Sequence, residues 1–299
     1  MKILLLGSTG QVGWQLARSL CVVGEVTALH RKSVAPCGDL MQPEGLAATI
    51  RSLAPDVIVN AAAYTAVDLA EKERDAAFAV NASACEVLAA EAGKIQAWLV
   101  HYSTDYVFDG SGVQPWKETD APAPINVYGQ SKLAGERAVA RCERHVVLRT
   151  SWVFETWGQN FLKSILRAAA QRESLNVVSD QWGAPTRAAL IADATAHVLR
   201  RLAPGTAGTY HLAAGGQTNW HEYAQVAIEH ALECGMTLKT RPGQVRAIAT
   251  ADYPTAAPRP ANSRLDTSRL RHTFGLDLPA WQDGVRSVVA ELAAACEAR

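Results

Sequence analysis

Two groups of residues in this chain have types and spacings that could do chemistry. Tyr128 and Lys132 place a phenol and an amine four residues apart, and on a helix they share one face. A free phenol titrates near about 10, and an adjacent lysine cation favours the phenolate and lowers that value. Such a phenol can hand a proton to an alkoxide as hydride arrives at a carbonyl carbon. The second group is Gly7, Gly10 and Gly13, with Gln11 and Val12 between them. Gly7 permits a tight turn, Gly10 lets the backbone approach a pyrophosphate, and Gly13 lets a helix pack close to a strand. The helix N-terminus then offers free N–H groups and partial positive charge. Alone, either pattern also occurs as an ordinary turn or a coincidence; their elements give them meaning.

The run Ile3–Leu6 ahead of Gly7 reads as a strand buried on both faces, and Trp14 to Leu20 has apolar residues at helical spacing. Further strands are expected at Val26 to Leu29, Asp56 to Ala61, Ala97 to Tyr102 and Val146 to Arg149, and helices at Pro43 to Leu53, Val67 to Ala92 and Val127 to Arg141. Helices are also expected at 159–171, 187–202, 220–234 and 281–297. The segments 109–126 and 251–264, rich in proline, read as loops. Strands alternating with helices imply an α/β protein, a Rossmann-type doubly wound parallel sheet with helices on both faces.

Ligands of such sheets sit beyond the carboxyl ends of the strands. Ser103, Thr104 and Asp105 follow the strand ending at Tyr102, and Ser103 and Thr104 are placed to hydrogen-bond a carbonyl oxygen. The three-residue glycine spacing is that of the extended branch of the short-chain dehydrogenase superfamily. After the second strand, a site preferring NAD places an acid for the ribose hydroxyls. Here the residues are His30, Arg31 and Lys32, whose fixed cations suit a 2′-phosphate. The expected cofactor is NADPH, with NADH the alternative.

Composition narrows the field. Of 299 residues, 48% are apolar and 19% charged, fitting a globular chain of one large domain or two moderate ones. Lys plus Arg and Asp plus Glu are both 29, so no basic excess points to nucleic acid. The six cysteines show no C-x-x-C pair and read as reduced residues. The opening apolar run is too short for a secretory leader, and no stretch has the length of a membrane span. The expectation is a cytoplasmic protein without a membrane or nucleic-acid partner.

Several segments together resemble the dTDP-4-dehydrorhamnose reductase family. They include Gly10-Gln11-Val12-Gly13-Trp14, Cys37-Gly38-Asp39, Pro55 to Ala63, His101 to Phe108 and Asn126-Val127-Tyr128-Gly129. Lys132 to Glu136, Arg149 to Val153, Gly183-Ala184-Pro185-Thr186 and Asn262-Ser263-Arg264-Leu265 extend the match over essentially the whole chain. The resemblance implies NADPH-dependent reduction of the C4 ketone of dTDP-4-dehydro-6-deoxy-L-mannose, a nucleotide sugar. It makes Tyr128 the proton donor, Lys132 its partner, and Thr104 a catalytic residue that also contacts the sugar with Asp105. Gly7, Gly10, Gln11, Val12, Gly13, His30, Arg31, Asp39, Leu40, Ala63, Tyr64, Thr65 and Tyr102 would line the cofactor with Tyr128 and Lys132. Trp152, Asn160, Gln181, Arg259 and Asn262 would meet the substrate, with Arg264 in the same loop. The expected organisation is a cofactor-binding domain over 1–150 and a mainly substrate-binding domain over 151–299, with parts of about 175–215 returning to the sheet.

One departure stands out. Some members are described as magnesium-bridged dimers built on three glutamates, whose positions correspond here to Gln15, Ala189 and Glu291. With two carboxylates missing, no structural magnesium is expected, leaving a monomer or a metal-independent homodimer. The alternatives are another nucleotide-sugar 4-ketoreductase or 4-epimerase, or a non-catalytic subunit that binds NADP.

Overall fold

A computed structural model of the chain describes residues 1–297. From the N-terminus, β1 (Lys2–Leu6) leads into α1 (Gln11–Leu20), β2 (Glu25–Leu29), α2 (Pro43–Leu53) and β3 (Val57–Asn60). Short α3 (Val67–Ala70) and α4 (Arg74–Phe78) precede a π-helical turn, Ala79–Ser83, and α5 (Ala84–Lys94). Then come β4 (Trp98–Thr104), α6 (Val127–Val139), β5 (His145–Thr150), β6 (Val153–Phe154), α7 (Phe161–Gln171), β7 (Leu175–Val178), β8 (Trp182–Gly183) and β9 (Thr186–Arg187). The chain closes with α8 (Ala188–Leu199), β10 (Gly208–His211), β11 (Thr218–Asn219), α9 (Trp220–Glu233), β12 (Val245–Ile248), α10 (Ser268–Phe274) and α11 (Trp281–Glu297).

Six strands form one parallel sheet in the order β10-β5-β4-β3-β1-β2. Its inner strands are buried on both faces because helices cover each side. One face packs Ile3, Leu5, Val59, Val100 and Leu148 against α1 and α8. The other packs Leu4, Leu6, Ile58, Leu99 and Val147 with Leu46, Leu88 and Val139 of α2, α5 and α6. Strand order reverses between β1 and β3, opening a crevice at their carboxyl ends. A separate core joins α7, α9, α11 and β7 around Phe154, Tyr223, Trp281 and Val285.

The elements depart from expectation in one place. The stretch expected as one helix over 67–92 is broken. Glu71 accepts the backbone N–H of Val127 at 2.9 Å, and Asn81, at the π turn, bonds Tyr64 and Ser131. These tertiary bonds outweigh local helix propensity. Within 175–215, α8 and β10 return to the main sheet, whereas β7 pairs with β12 apart from it.

Candidate active site

The glycine loop turns between β1 and α1. Gly7 has φ +83°, and a Cβ there would lie 2.5 Å from the Ala62 nitrogen. A Cβ on Gly13 would lie 2.0 Å from the Gly7 oxygen. Both glycines are therefore required by the protein's own packing. Gly10 differs: a Cβ there meets only the Gly7 oxygen, at 3.4 Å. The fold does not need glycine at this position, but close approach of a pyrophosphate to the first turn of α1 does. The loop thus fits a dinucleotide. Gly10→Ala should leave the melting temperature near that of the parent and weaken NADPH about tenfold in a fluorescence titration. Gly13→Ala should instead lower the melting temperature.

Gln11 and Val12 lie in that first turn, where N–H groups have no intrahelical acceptor. His30, Arg31 and Lys32 follow β2, whose last carbonyl, Leu29, accepts from Gly7 and Ser8 at 2.9 and 3.0 Å. The cationic turn therefore adjoins the glycine loop, with Arg31 exposed. Asp39 folds back to accept the Met41 N–H at 3.0 Å. Leu40 is buried beside Leu4, Leu6 and Leu46, so its side chain serves the core rather than facing a ligand. Ala63, Tyr64 and Thr65 follow β3 on the far side of the crevice. Asn81 holds Tyr64 by both backbone groups, at 2.8 and 3.0 Å. It also donates to Ser131 Oγ at 2.9 Å, linking this loop to the turn of α6 between Tyr128 and Lys132. Asn81 was not picked out from the sequence, where one amide in an alanine-rich helix carries no signal.

Helix α6 begins at Asn126, whose side chain accepts the Gly129 N–H at 2.8 Å and donates to the Pro258 carbonyl at 2.9 Å. A cap of this kind contributes about 1 kcal/mol and fixes where Tyr128 starts the helix. The Tyr128 ring meets Tyr106 edge-on, centroids 5.8 Å apart. Burial pushes the Tyr128 phenol up to about 12, the Thr104 hydroxyl opposing and the Asp105 carboxylate adding to the rise. This corrects the expectation that Lys132 lowers it. The Lys132 amine is engaged elsewhere, donating to the Tyr102 carbonyl at 2.6 Å with His101 Nε2 at 3.3 Å. Tyr128 is accordingly protonated at neutral pH, the state a proton donor needs.

Residues alternate faces along β4. Tyr102 turns toward α8, where its hydroxyl meets Thr195 Oγ1 at 2.7 Å. Its side chain is core, and only its carbonyl reaches Lys132, a correction to its expected place against the cofactor. Thr104 donates to Asp105 Oδ1 at 3.0 Å and accepts the Tyr106 N–H at 3.1 Å. Burial raises the Asp105 carboxyl to about 7, with Ser263 and Thr104 opposing. Asp105 Oδ2, Ser103 Oγ and Thr150 Oγ1 are buried without a hydrogen-bond partner. Register pairs Thr104 with Thr150. Orphaned polar atoms concentrated at the carboxyl ends of two adjacent strands mark a place built for a polar ligand.

On the opposite wall, Trp152 has φ +48° and stacks on Trp220, centroids 3.6 Å apart and planes 12° off parallel. A left-handed tryptophan is strained backbone that its surroundings must hold. Trp220 is a second aromatic that the sequence did not single out. Arg259 pairs through Nη2 with Asp68 at 2.8 Å and donates from Nη1 to the Ala257 carbonyl at 3.2 Å. Three expected substrate contacts are committed to the protein instead. Asn160 caps α7 and donates to Gln11 Oε1 and the Glu155 carbonyl. Gln181 accepts from Trp220 Nε1 and donates to Thr250. Asn262 is buried, clasping the Ser111 and Gln114 carbonyls and accepting from Arg264 Nε at 2.8 Å. They build the wall that the aromatic pair and arginines present.

A glycine loop of three-residue spacing at the β1/β3 crevice, with a Tyr–Lys pair on the helix after β4, defines an extended short-chain dehydrogenase/reductase. The family model described as "RmlD substrate binding domain" matches residues 1–294. The chain is 51% identical to a dTDP-4-dehydrorhamnose reductase of Salmonella typhimurium and 50% identical to one of Escherichia coli K12, each over 98% of both chains. A Bacillus anthracis dTDP-4-dehydrorhamnose reductase, solved in complex with NADP, superposes with a TM-score of 0.88 at 32% identity, covering 97% of this chain and 99% of its own. The chain belongs to the dTDP-4-dehydrorhamnose reductase family.

Proposed function

We propose that this chain reduces the C4 ketone of dTDP-4-dehydro-6-deoxy-L-mannose to dTDP-L-rhamnose with NADPH. The observation that carries the reading is the Thr104 hydroxyl set against the Tyr128 phenol, with Lys132 one turn along the same helix and held on the Tyr102 carbonyl, on a chain half identical to enzymes of that name along its length. In this reading the N–H groups of Gln11 and Val12 hold the pyrophosphate, and His30 and Arg31 hold the 2′-phosphate. Asp39, Ala63, Tyr64 and Thr65 form the remaining walls. Bound NADPH supplies the hydride. Tyr128 gives its proton to the oxygen at C4, Thr104 polarises that oxygen, and Lys132 orients the ribose. Asp105, its carboxyl raised to about 7 by burial, bonds a sugar hydroxyl; Trp152 and Arg259 take the nucleotide.

A metal-independent state in solution, monomer or homodimer, accompanies this reading. Glu291 is paired with Arg187 at 2.7 Å, and Gln15 accepts from Arg18 at 3.1 Å. Among the described residues no group of three or more His, Cys, Asp or Glu could hold a metal ion. No described helix is long and apolar enough to cross a membrane, and a cytoplasmic place is proposed with the substrate.

The test is NADPH consumption in the presence of dTDP-4-dehydro-6-deoxy-L-mannose. Oxidation dependent on the sugar, with a higher kcat/KM for NADPH than NADH, is expected. Bound NADPH without turnover, or conversion of the sugar without net cofactor use, would overturn the proposal.

A further inference from the structure

Behind Lys132 lies a buried polar cluster that the reaction described above does not use. Asn60 ends β3, His101 lies opposite it in register on β4, and both side chains face α5 and α6. Asn60, His101 and Lys132 are each at most 2% exposed. Asn60 Nδ2 is 3.2 Å from His101 Nδ1, and His101 Nε2 is 3.3 Å from Lys132 Nζ. A polar chain of three groups therefore runs from the sheet to the amine that partners Tyr128.

The direction of its hydrogen bonds is set at one end. The Ala62 N–H donates to Asn60 Oδ1 at 3.2 Å. That contact fixes the amide, leaving Nδ2 to donate to His101 Nδ1. Nδ1 is then the acceptor nitrogen of a neutral ring, and the ring proton sits on Nε2, aimed at Lys132. An ammonium has only donors, so it meets Nε2–H donor to donor. A neutral amine has a lone pair to receive it. Lys132 also donates to the Tyr102 carbonyl, which anchors its reach.

Burial lowers the Lys132 ammonium, with Cys85 and Glu136 opposing that fall. Cys85 on α5 lies 3.9 Å from His101 Nδ1, but burial pushes its thiol up to about 11, and it donates to the Asn81 carbonyl at 3.3 Å. Glu136, one turn along α6, is bound in two places by Arg149. Burial and the Lys132 charge hold the His101 imidazolium well below its ordinary range, in keeping with a neutral ring.

We propose that the Asn60–His101 pair is a positioning unit for Lys132, presenting a ring N–H that only the neutral amine can accept, so that Lys132, anchored on the Tyr102 carbonyl, sheds its proton more readily than a lysine facing an acceptor. The inference rests on the reduction proposed above and adds a named device to it.

Two measurements test it. The first is ¹⁵N NMR of His101 in the wild-type chain without substrate. The expected result is a neutral ring with the proton on Nε2 from about pH 5 to about pH 9. The second is the kinetics of His101→Leu. Its kcat should fall about tenfold with the KM for NADPH within about twofold of the parent. The limb of its kcat–pH profile that belongs to Lys132 should move up by about one unit, because the opposing N–H is gone. Cys85→Ala, which removes the thiol beside Asn60 and His101 but keeps all three groups of the chain, should keep the parent profile. A ring protonated on Nδ1, a charged ring at neutral pH, or a His101→Leu enzyme that loses only thermal stability would overturn the proposal. The NMR result needs no turnover, so failure of the reduction itself is distinguishable from failure of the positioning unit.

Discussion

Tyr128→Phe is expected to lower kcat by about a hundredfold to ten-thousandfold, the usual contribution of a positioned general acid, while NADPH still binds. The substitution removes one oxygen and leaves the ring in its edge contact with Tyr106. Helix α6 keeps its Asn126 cap and Lys132 its bond to the Tyr102 carbonyl. The loss should therefore fall on the chemical step, with the KM for NADPH and the melting temperature close to the parent's. The pH dependence has a definite sign. With the Tyr128 phenol raised to about 12, loss of its proton contributes nothing near neutrality, so kcat should not fall through a tyrosine ionisation until far into the alkaline range. Turnover within about threefold of the parent, or an ionisation of the parent enzyme near neutrality that Tyr128→Phe abolishes, would show that the proton comes from another group or that the phenol titrates differently.

Arg149→Met should be the most damaging single change to stability away from the glycine loop. Arg149 on β5 grips Glu136 on α6 through two bonds, 2.8 and 2.7 Å, with both side chains nearly buried. The guanidinium also lies over Phe108 at 5.0 Å, and Phe108 stacks on Trp116. Removing the cation leaves a buried carboxylate unpaired, at a cost of about 3–5 kcal/mol. Denaturant unfolding should read that loss. The double replacement Arg149→Met with Glu136→Leu should recover most of it, since a well-packed apolar pair can match a buried ion pair. If the single and double variants are equally destabilised, the Phe108 contact and packing matter more than the charge. Because Glu136 sits one turn beyond Lys132, partial unfolding here would also take activity with it.

How far the sequence discloses this molecule depends on the kind of bond involved. The run Lys2–Leu6 into Gly7 and the Pro43–Leu53 helix were legible because apolar period, glycine and proline act locally. Tyr128 and Lys132 were legible as a pair, yet their mutual influence was misjudged. Burial and the Tyr102 carbonyl, both tertiary, decide what the amine does. The amides were hardest. Asn160, Gln181 and Asn262 look like ligand-binding residues in a string of letters, but each spends its hydrogen bonds on backbone or side chains far along the chain. Conversely, Asn60 and His101 did leave a trace: each is a polar residue at the end of, or within, a strand that is otherwise apolar and buried on both faces. Such interruptions need partners, and here the partner is the site.

The three glycines of the first loop answer to two separate selective pressures. Positions 7 and 13 are held by steric necessity whether or not the chain ever meets a dinucleotide, since a side chain at either would strike backbone. Position 10 is under no such obligation. A descendant that kept this architecture but retired from catalysis would therefore preserve Gly7 and Gly13 and drift at Gly10. In genomes, that one codon would separate working lineages from those in which the scaffold has outlived its ligand.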